Sequence, residues 1–244
     1  MRPDFVGIGV QKAGTSSVAD FLVASGATFP RGTKELHWMG KRRAASFRRS
    51  TYKLNFSTGA VRGEFTPNYI EWPNALLDLY AACPQTKLLV FLRNPVDRFI
   101  SAVNHARGIG KIPASQSGDE ILDLAWAAQG VGWVSRAIRR GTYVADLRSV
   151  FRLFKRSQVF VGFFEDWVSP QRSDALAKDL TRFIGLPEPD LSGARILATN
   201  SKEHHLRKRR LAPTKLSPSS YSFLEEYFSQ FRPELEELVG PVPW

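Results

Sequence analysis

The chain of 244 residues is 43% hydrophobic and 23% charged, a balance that is typical of folded globular proteins and argues against disorder. Its 34 lysines and arginines against 23 aspartates and glutamates give a formal net charge of +11, which favours anionic partners: nucleotides, polyanionic glycans, nucleic acid or a membrane surface. The single cysteine, Cys83, excludes an intrachain disulfide and a cysteine-based zinc site, and no apolar run approaches the roughly 20 residues that span a bilayer. Only four residues precede the first predicted strand, which leaves no room for a signal peptide, so we expect a cytoplasmic protein.

The first predicted element is a short buried strand that leads through a glycine-bearing loop into a helix. An apolar run over 5–10 predicts the strand, and Thr15 or Ser16 is expected to cap the helix that follows. Backbone N–H groups of such a loop and the positive end of the helix dipole attract phosphate-like anions, and Lys12 adds a full charge. An ordinary strand-turn-helix with an exposed lysine would give the same local pattern.

The loop is not a Walker A sequence. That motif places its lysine directly after the last glycine and a hydroxyl residue behind it for Mg²⁺, whereas Lys12 precedes Gly14 by two positions. The difference disfavours a metal-dependent nucleoside triphosphatase.

A carboxylate and an imidazole follow the first helix in close succession, at Glu35 and His37. In an extended segment these two side chains face one side while Leu36 and Trp38 face the other. A carboxylate and an imidazole that converge on one point can deprotonate a hydroxyl nucleophile. A solvated polar edge is the alternative reading of the same residues.

Two basic runs lie outside the predicted core. Residues 41–53 include six basic side chains and no acidic one, and residues 200–210 include five basic side chains. Either run could bind an anionic acceptor or cofactor, or simply form a solvated face. Aromatic residues are not interleaved as stacking platforms in the run over 200–210, so we do not expect it to be a nucleic-acid arm. His204 and His205 lack the spacing of metal ligands and are interpreted as surface residues.

The apolar run over 87–92 predicts a central parallel strand. Arg93 follows it directly, and Pro95 suits the first turn of a helix that carries Ser101 about two turns further on. Ligands of open α/β sheets bind beyond the carboxyl ends of the strands, where a guanidinium matches phosphate. A structural ion pair between Arg93 and Asp97 is the alternative.

The rest of the chain alternates helices with a third strand, which implies parallel βαβ units and an α/β fold with a central, mainly parallel sheet flanked by helices. The length fits one domain over 1–244. The further predicted elements are a short extended piece over 63–69, a helix after Pro73, a helix over 119–126, an amphipathic helix after Tyr143, a strand over 158–164, a helix from Ser169-Pro170 and a helix over 217–231.

In combination and in this order, the motifs resemble those of the P-loop-like sulfotransferase superfamily, and most closely its glycan-modifying branch, which includes heparan sulfate glucosaminyl 3-O-sulfotransferases and bacterial relatives. The resemblance implies a three-layer fold and an enzyme that uses 3′-phosphoadenosine 5′-phosphosulfate (PAPS) without a metal. The matching motifs are Gln-Lys-Ala-Gly-Thr-Ser-Ser at 11–17, Lys-Glu-Leu-His-Trp at 34–38, Gly-Glu-Phe-Thr-Pro-Asn-Tyr at 63–69, Leu-Arg-Asn-Pro at 92–95 with Ser101, Gly141-x-Tyr143, Gln158-Val159 and Glu165-Asp166-Trp167.

The resemblance also assigns roles to individual residues. It implies a loop that binds the 5′-phosphosulfate and stabilises the departing adenosine 3′,5′-bisphosphate (PAP). This loop consists of Lys12, Ala13, Gly14, Thr15, Ser16 and Ser17. Glu35 is the expected general base, with His37 orienting it or acting as the base itself. Arg93 and Ser101 are expected to bind the 3′-phosphate.

Two departures from the family pattern leave positions open. Phe65 stands where the glycan enzymes often carry a lysine near the sulfuryl group, so that charge is missing or comes from elsewhere. The late cofactor loop is matched only loosely, and Lys202, Arg207 and Arg210 are the candidates for a contact to PAPS.

Two other functions compete with sulfuryl transfer. A P-loop small-molecule kinase would require Mg²⁺ and ATP, and a non-catalytic polyanion-binding protein would show salt-sensitive binding that PAPS does not affect. For the enzyme, the acceptor is expected to be a hydroxyl of a glycan, a glycolipid or another small molecule, and peripheral membrane contact is compatible with the basic charge.

Overall fold

The computed structural model describes residues 2–30, 33–40, 51–52, 55–56, 61–128, 132–191 and 211–244, without the side chains of 132–135. Within these ranges the chain forms two compact units. The first takes in the described residues up to 92 and from 146 to 191, with Pro243, and the second those of 93–145 and 211–242, with Trp244. The single domain over 1–244 stays a prediction.

A five-stranded sheet forms the centre of the first unit, with the strand order β2-β3-β1-β4-β5. Every strand pair in the described part of the chain is parallel, as the alternation of strands and helices predicts. Because β1 lies in the middle, its carboxyl end emerges between those of β3 and β4, and the Val10 N–H bonds to the Phe91 carbonyl at 2.9 Å. The strands are β1 (Phe5–Gly9), β2 (Ala27–Thr28), β3 (Val61–Phe65), β4 (Lys87–Leu92) and β5 (Val159–Phe163).

The three strands predicted from apolar runs are confirmed as β1, β4 and β5. All residues of β1, and those of β4 after Lys87, are buried, which explains why these runs lack polar alternation. The extended piece predicted over 63–69 is the end of β3 followed by a 3-10 turn at Tyr69–Glu71. β2 was not predicted, because two residues give no period.

Numbered in chain order among the elements that the structure describes, the helices of the first unit are α1 (Thr15–Ala24), α2 (Pro73–Ala82), most of α6 (Tyr143–Leu153), the short α7 (Phe164–Trp167) and α8 (Ser173–Ile184). Helices α1, α2 and α6 lie between successive strands, whereas α7 and α8 follow the last described strand. Pro73 starts its helix as predicted, but the helix predicted from Ser169-Pro170 begins only at Ser173. The strand predicted over 158–164 ends at Phe163, because Phe164 already belongs to the helical turn α7.

The second unit is helical among its described residues. It contains α3 (Pro95–Gly108), α4 (Gly118–Ala127), α5 (Gly132–Arg139), α9 (Pro218–Ser229) and α10 (Arg232–Val239). The apolar faces of α3, α4, α5 and α9 share one core, with Phe99, Leu122 and Leu224 almost completely buried. The helix predicted over 217–231 is confirmed as α9, and α10, which begins at Arg232, was not predicted.

Among the described helices, none combines the length and the apolar character needed to cross a membrane.

Candidate functional site

The loop between β1 and α1 has two residues in the left-handed region of backbone space, Lys12 with φ 75° and Gly14 with φ 76°. Gly14 is the residue that caps α1, so neither Thr15 nor Ser16 caps the helix as predicted; Thr15 is already its first residue. Glycine is required at position 14 for two reasons. Its positive φ disfavours other residues, and a Cβ there would lie 2.7 Å from the ring of Phe164.

Gly14 at the cap position has no side chain that could accept the N–H hydrogen bonds of the first turn of α1. Those donors, together with the positive helix end, form an anion-binding position that a phosphate can fill. Ser16 is exposed at this helix start, whereas the Ser17 hydroxyl is buried and accepts a hydrogen bond from Trp167 Nε1 at 3.1 Å.

Glu35 and His37 lie in contact, with 2.9 Å between Glu35 Oε2 and His37 Nε2. The segment is not regularly extended as predicted, since His37 has a φ of 48°, but the side chains of Glu35 and His37 still contact each other. The second carboxylate oxygen, Oε1, lies 2.9 Å from the ammonium of Lys34. Lys34 Nζ also donates to Ser16 Oγ at 3.1 Å, so this lysine connects the carboxylate to the start of α1.

A completely buried carboxyl group, that of Glu64 on β3, lies beneath this segment. Its Oε1 accepts hydrogen bonds from the hydroxyls of Tyr52 at 2.5 Å and Tyr69 at 3.1 Å. Its Oε2 accepts from the Thr66 hydroxyl at 2.5 Å and from the N–H of Leu36 at 3.1 Å. Four donors around one carboxylate satisfy both of its oxygens without a water molecule.

The hydroxyls that donate to this carboxylate in turn accept backbone N–H groups of the segment after Glu35. Thr66 Oγ1 accepts from the N–H of His37 at 3.2 Å. The Tyr69 hydroxyl accepts from Trp38 at 2.7 Å and from Met39 at 3.3 Å. One buried carboxyl group therefore fixes the backbone of residues 36–39, directly or through a hydroxyl.

The pKa shifts of Glu64, Tyr52 and Tyr69 are consistent with tyrosine hydroxyls that donate hydrogen bonds to Glu64. Burial raises the pKa of Glu64, and the bonds from Thr66, Tyr52 and Leu36 oppose that rise. Burial, and then the negative charge of Glu64, raises the pKa values of Tyr52 and Tyr69 well above the ordinary value. Both phenols therefore stay protonated at neutral pH, and their O–H groups donate hydrogen bonds to the Glu64 carboxylate.

Phe65 does not place its side chain in the site. It is completely buried against β1, where a Cβ at Gly7 would lie within 2.2 Å of its ring. Its backbone N–H donates to the Lys34 carbonyl at 2.8 Å, so β3 holds the segment around Lys34 while the Phe65 ring fills the core.

Arg93 and Ser101 belong to the second unit, where both are buried. The Arg93 carbonyl accepts from the Tyr143 hydroxyl at 2.6 Å, and Asn94 caps α3 by accepting the N–H groups of Val96 at 2.9 Å and Asp97 at 3.2 Å. Ser101 is 1% exposed, and its hydroxyl has no hydrogen-bond partner among the described residues. A buried hydroxyl in that state fits a ligand oxygen.

Several predicted residues cannot be placed. Lys202, Arg207 and Arg210 lie outside the described residues, as do His204, His205 and most of the basic run over 41–53. In the part of the chain that the structure describes, no group of three or more histidine, cysteine, aspartate or glutamate side chains could hold a metal ion.

Sequence reasoning found the pair Glu35 and His37 but assigned no role to Lys34 or Glu64. The motif Gly-Glu-Phe-Thr-Pro-Asn-Tyr was the available signal, since its glutamate, threonine and tyrosine are the three side chains that hold the segment.

Comparison with protein families gives a match over residues 2–226 to the sulfotransferase domain. Human heparan sulfate glucosamine 3-O-sulfotransferase 6 is 31% identical over 140 residues, which are 53% of this chain and 40% of that protein. The mouse protein of the same name is 28% identical over 165 residues, 64% of this chain and 44% of its own length. The chain thus spans less than half the length of these two relatives.

Solved structures resemble the whole fold. A sulfotransferase from Alicyclobacillus acidocaldarius superposes with a TM-score of 0.74 at 21% identity, covering 99% of this chain and 97% of the other. The sulfotransferase domain from the curacin biosynthetic pathway gives a TM-score of 0.54 at 12% identity, covering 94% and 98%. At these identities the likeness describes the fold alone.

Proposed function

This chain belongs to the sulfotransferase domain family, and on that premise we propose that it moves a sulfuryl group from PAPS to an acceptor hydroxyl. The donor is taken from the family resemblance and from the chemistry of the loop over 11–17. The proposal treats residues 1–244 as one sulfotransferase domain.

One observation carries the proposal: the carboxylate-imidazole pair adjoins the anion-binding start of α1. Lys34 Nζ contacts Ser16 Oγ at 3.1 Å and Glu35 Oε1 at 2.9 Å. The proposed base and the proposed anion-binding start of α1 are therefore both in contact with the same ammonium group. Sulfuryl transfer requires that combination, because the acceptor must lose a proton while charge builds on the departing phosphate.

In the proposed reaction, an oxygen of the acceptor forms a bond to sulfur while the bond between sulfur and the bridging oxygen of PAPS breaks. The electron pair of the broken bond stays on the 5′-phosphate of PAP, where Lys12 and the N–H groups of Gly14 to Ser17 stabilise it. The acceptor proton passes to Glu35, with His37 orienting the carboxylate, or to His37 itself.

We assign the 3′-phosphate to Arg93 and Ser101. A guanidinium matches phosphate geometry, and the buried Ser101 hydroxyl offers a hydrogen bond that no described residue uses. Lys202 and Arg207 remain proposed contacts to PAPS on the family resemblance alone.

The acceptor is proposed to be a glycan, a glycolipid or another hydroxyl-bearing small molecule. The names of the human and mouse relatives, which specify a heparan sulfate glucosamine, favour a sugar hydroxyl. The net charge of +11 suits an anionic acceptor of that kind.

Thermal-shift titration provides the first test. We expect PAP to stabilise the protein without Mg²⁺, and ATP to do so weakly whether Mg²⁺ is present or not. Stabilisation by ATP only with Mg²⁺ would indicate a kinase, and salt-sensitive heparin binding that PAP leaves unchanged would indicate a polyanion-binding protein. A screen of hydroxyl acceptors with labelled PAPS then identifies the product.

A further inference from the structure

Lys34 is held more firmly than an ordinary surface lysine. Its carbonyl accepts the Phe65 N–H at 2.8 Å, and two residues later the N–H of Leu36 bonds to the buried Glu64 at 3.1 Å. Strand β3 therefore fixes the backbone on both sides of Glu35, and with it the starting point of the Lys34 side chain.

The ammonium group has two different oxygen neighbours, Ser16 Oγ at 3.1 Å and Glu35 Oε1 at 2.9 Å. The first marks the start of α1, and the second belongs to the carboxylate paired with His37. The side chain is 23% exposed, which leaves it partly shielded from water but open to a ligand. Shielding strengthens the electrostatic effect of a charge on a bound anion.

The consequence depends on the proposed function. If a phosphate occupies the start of α1 and the acceptor hydroxyl adjoins Glu35, the transferred sulfur must pass between these two positions. Lys34 Nζ lies between them, in contact with both. We propose that Lys34 binds the sulfuryl oxygens of PAPS and stabilises them during transfer, supplying in this chain the positive charge that Phe65, buried against Gly7, does not provide.

The role differs from that of Lys12. Lys12 lies in the loop between β1 and α1, before the helix start, and is proposed to stabilise the oxygen that departs with PAP. Lys34 approaches from the side of Glu35 and is proposed to contact the group that is transferred. A ligand without the sulfuryl group should therefore report on Lys12 but not on Lys34.

The competing explanation is that Lys34 only forms a surface ion pair with Glu35. The chain offers a matched control, since Lys178 pairs with Glu188 at 2.8 Å on an exposed surface. Lys178→Met removes the same charge and the same kind of ion pair without touching the segment around Glu35. Surface pairs of this kind contribute little to stability.

The test compares the dissociation constants of PAPS and PAP, measured by isothermal titration calorimetry for the wild-type protein, Lys34→Met, Lys34→Arg and Lys178→Met. We expect Lys34→Met to weaken PAPS binding about 10- to 100-fold, the effect of losing one charge-assisted hydrogen bond, with PAP binding changed less than about twofold. Lys34→Arg should recover part of the PAPS affinity, and Lys178→Met should match the wild type. Turnover with any acceptor found in the screen should fall further in Lys34→Met, since charge stabilisation is greatest in the transition state.

Equal losses of PAPS and PAP affinity in Lys34→Met would overturn the assignment, because the contact would then be to the nucleotide. Unchanged PAPS affinity together with unchanged turnover would also overturn it and leave the ion pair with Glu35 as the role of Lys34. A wild-type protein that binds neither ligand would instead refute the proposed function, and this inference with it.

Discussion

The imidazole of His37 contacts the carboxylate of Glu35, with 2.9 Å between Nε2 and Oε2. The contact joins two groups that can each accept the proton of an acceptor hydroxyl. Substitution separates them, because only the true base has to accept a proton.

If Glu35 is the base, Glu35→Gln keeps the side-chain shape but removes the proton acceptor. We expect its kcat to fall about 10²- to 10⁴-fold, with a smaller loss in His37→Ala. Steady-state kinetics with labelled PAPS would measure both variants. A near-normal rate in Glu35→Gln together with an inactive His37→Ala would move the base to His37.

Lys12 combines a charge with a left-handed backbone conformation, φ 75°. Both Lys12→Ala and Lys12→Gly should lose turnover about 10²- to 10³-fold and bind PAP more weakly, because each removes the charge beside the departing phosphate. Glycine adopts this φ without steric cost, so Lys12→Gly should be more stable than Lys12→Ala, with a free energy of unfolding that is higher by about 1 kcal/mol. Normal PAP affinity in Lys12→Gly would exclude a contact between the Lys12 charge and the nucleotide.

Arg93 is proposed to bind the 3′-phosphate, and ligands with and without that group test the proposal directly. Arg93→Ala should weaken PAP binding about 10- to 100-fold while affecting adenosine 5′-phosphosulfate, which has no 3′-phosphate, by less than about threefold. Because the Tyr143 hydroxyl bonds to the Arg93 carbonyl, the substitution leaves that backbone contact in place. A similar loss for both ligands would argue against a specific 3′-phosphate contact.

Glu64 is expected to matter for stability as well as for the site, since its carboxyl group is buried with four donors. Glu64→Gln places an NH₂ group against at least two donors, and we expect the free energy of unfolding to fall by about 2–4 kcal/mol. Chemical denaturation would measure the loss, and Glu188→Gln, on the exposed surface, is the control. Equal stability of the two variants would mean that Glu64 does not organise the segment after Glu35.

Cys83 follows α2 and is buried, and burial raises the pKa of its thiol to about 11. The raised value lowers the thiolate fraction at any given pH, so alkylation at pH 8 should be at least about 100-fold slower in the native protein than in the unfolded chain. The native rate should still increase with pH beyond pH 9, where an ordinary thiol is already largely ionised. Rapid alkylation at pH 8 would contradict the buried position.

Much of the fold could be predicted because its signals are local. The apolar runs at 5–10, 87–92 and 158–164 specify parallel strands, and Pro73 and Pro95 start helices where a missing N–H costs nothing. The prediction of the α1 cap was wrong because tertiary packing overrode the local preference for a hydroxyl residue at that position. Gly14 rather than a hydroxyl residue caps α1, because the loop needs a left-handed residue packed under Phe164.

By itself, the sequence determined which residue types were available for chemistry: a lysine-glycine-hydroxyl loop, a nearby glutamate and histidine, and an arginine at the end of a strand. Tertiary structure alone decided that Lys34 reaches Ser16 and that Glu64 fixes residues 36–39, since these contacts join positions 18 and about 30 residues apart. The physical reason is that periodicity specifies the face on which a side chain lies, whereas hydrogen bonds of about 3 Å depend on how separate elements pack together.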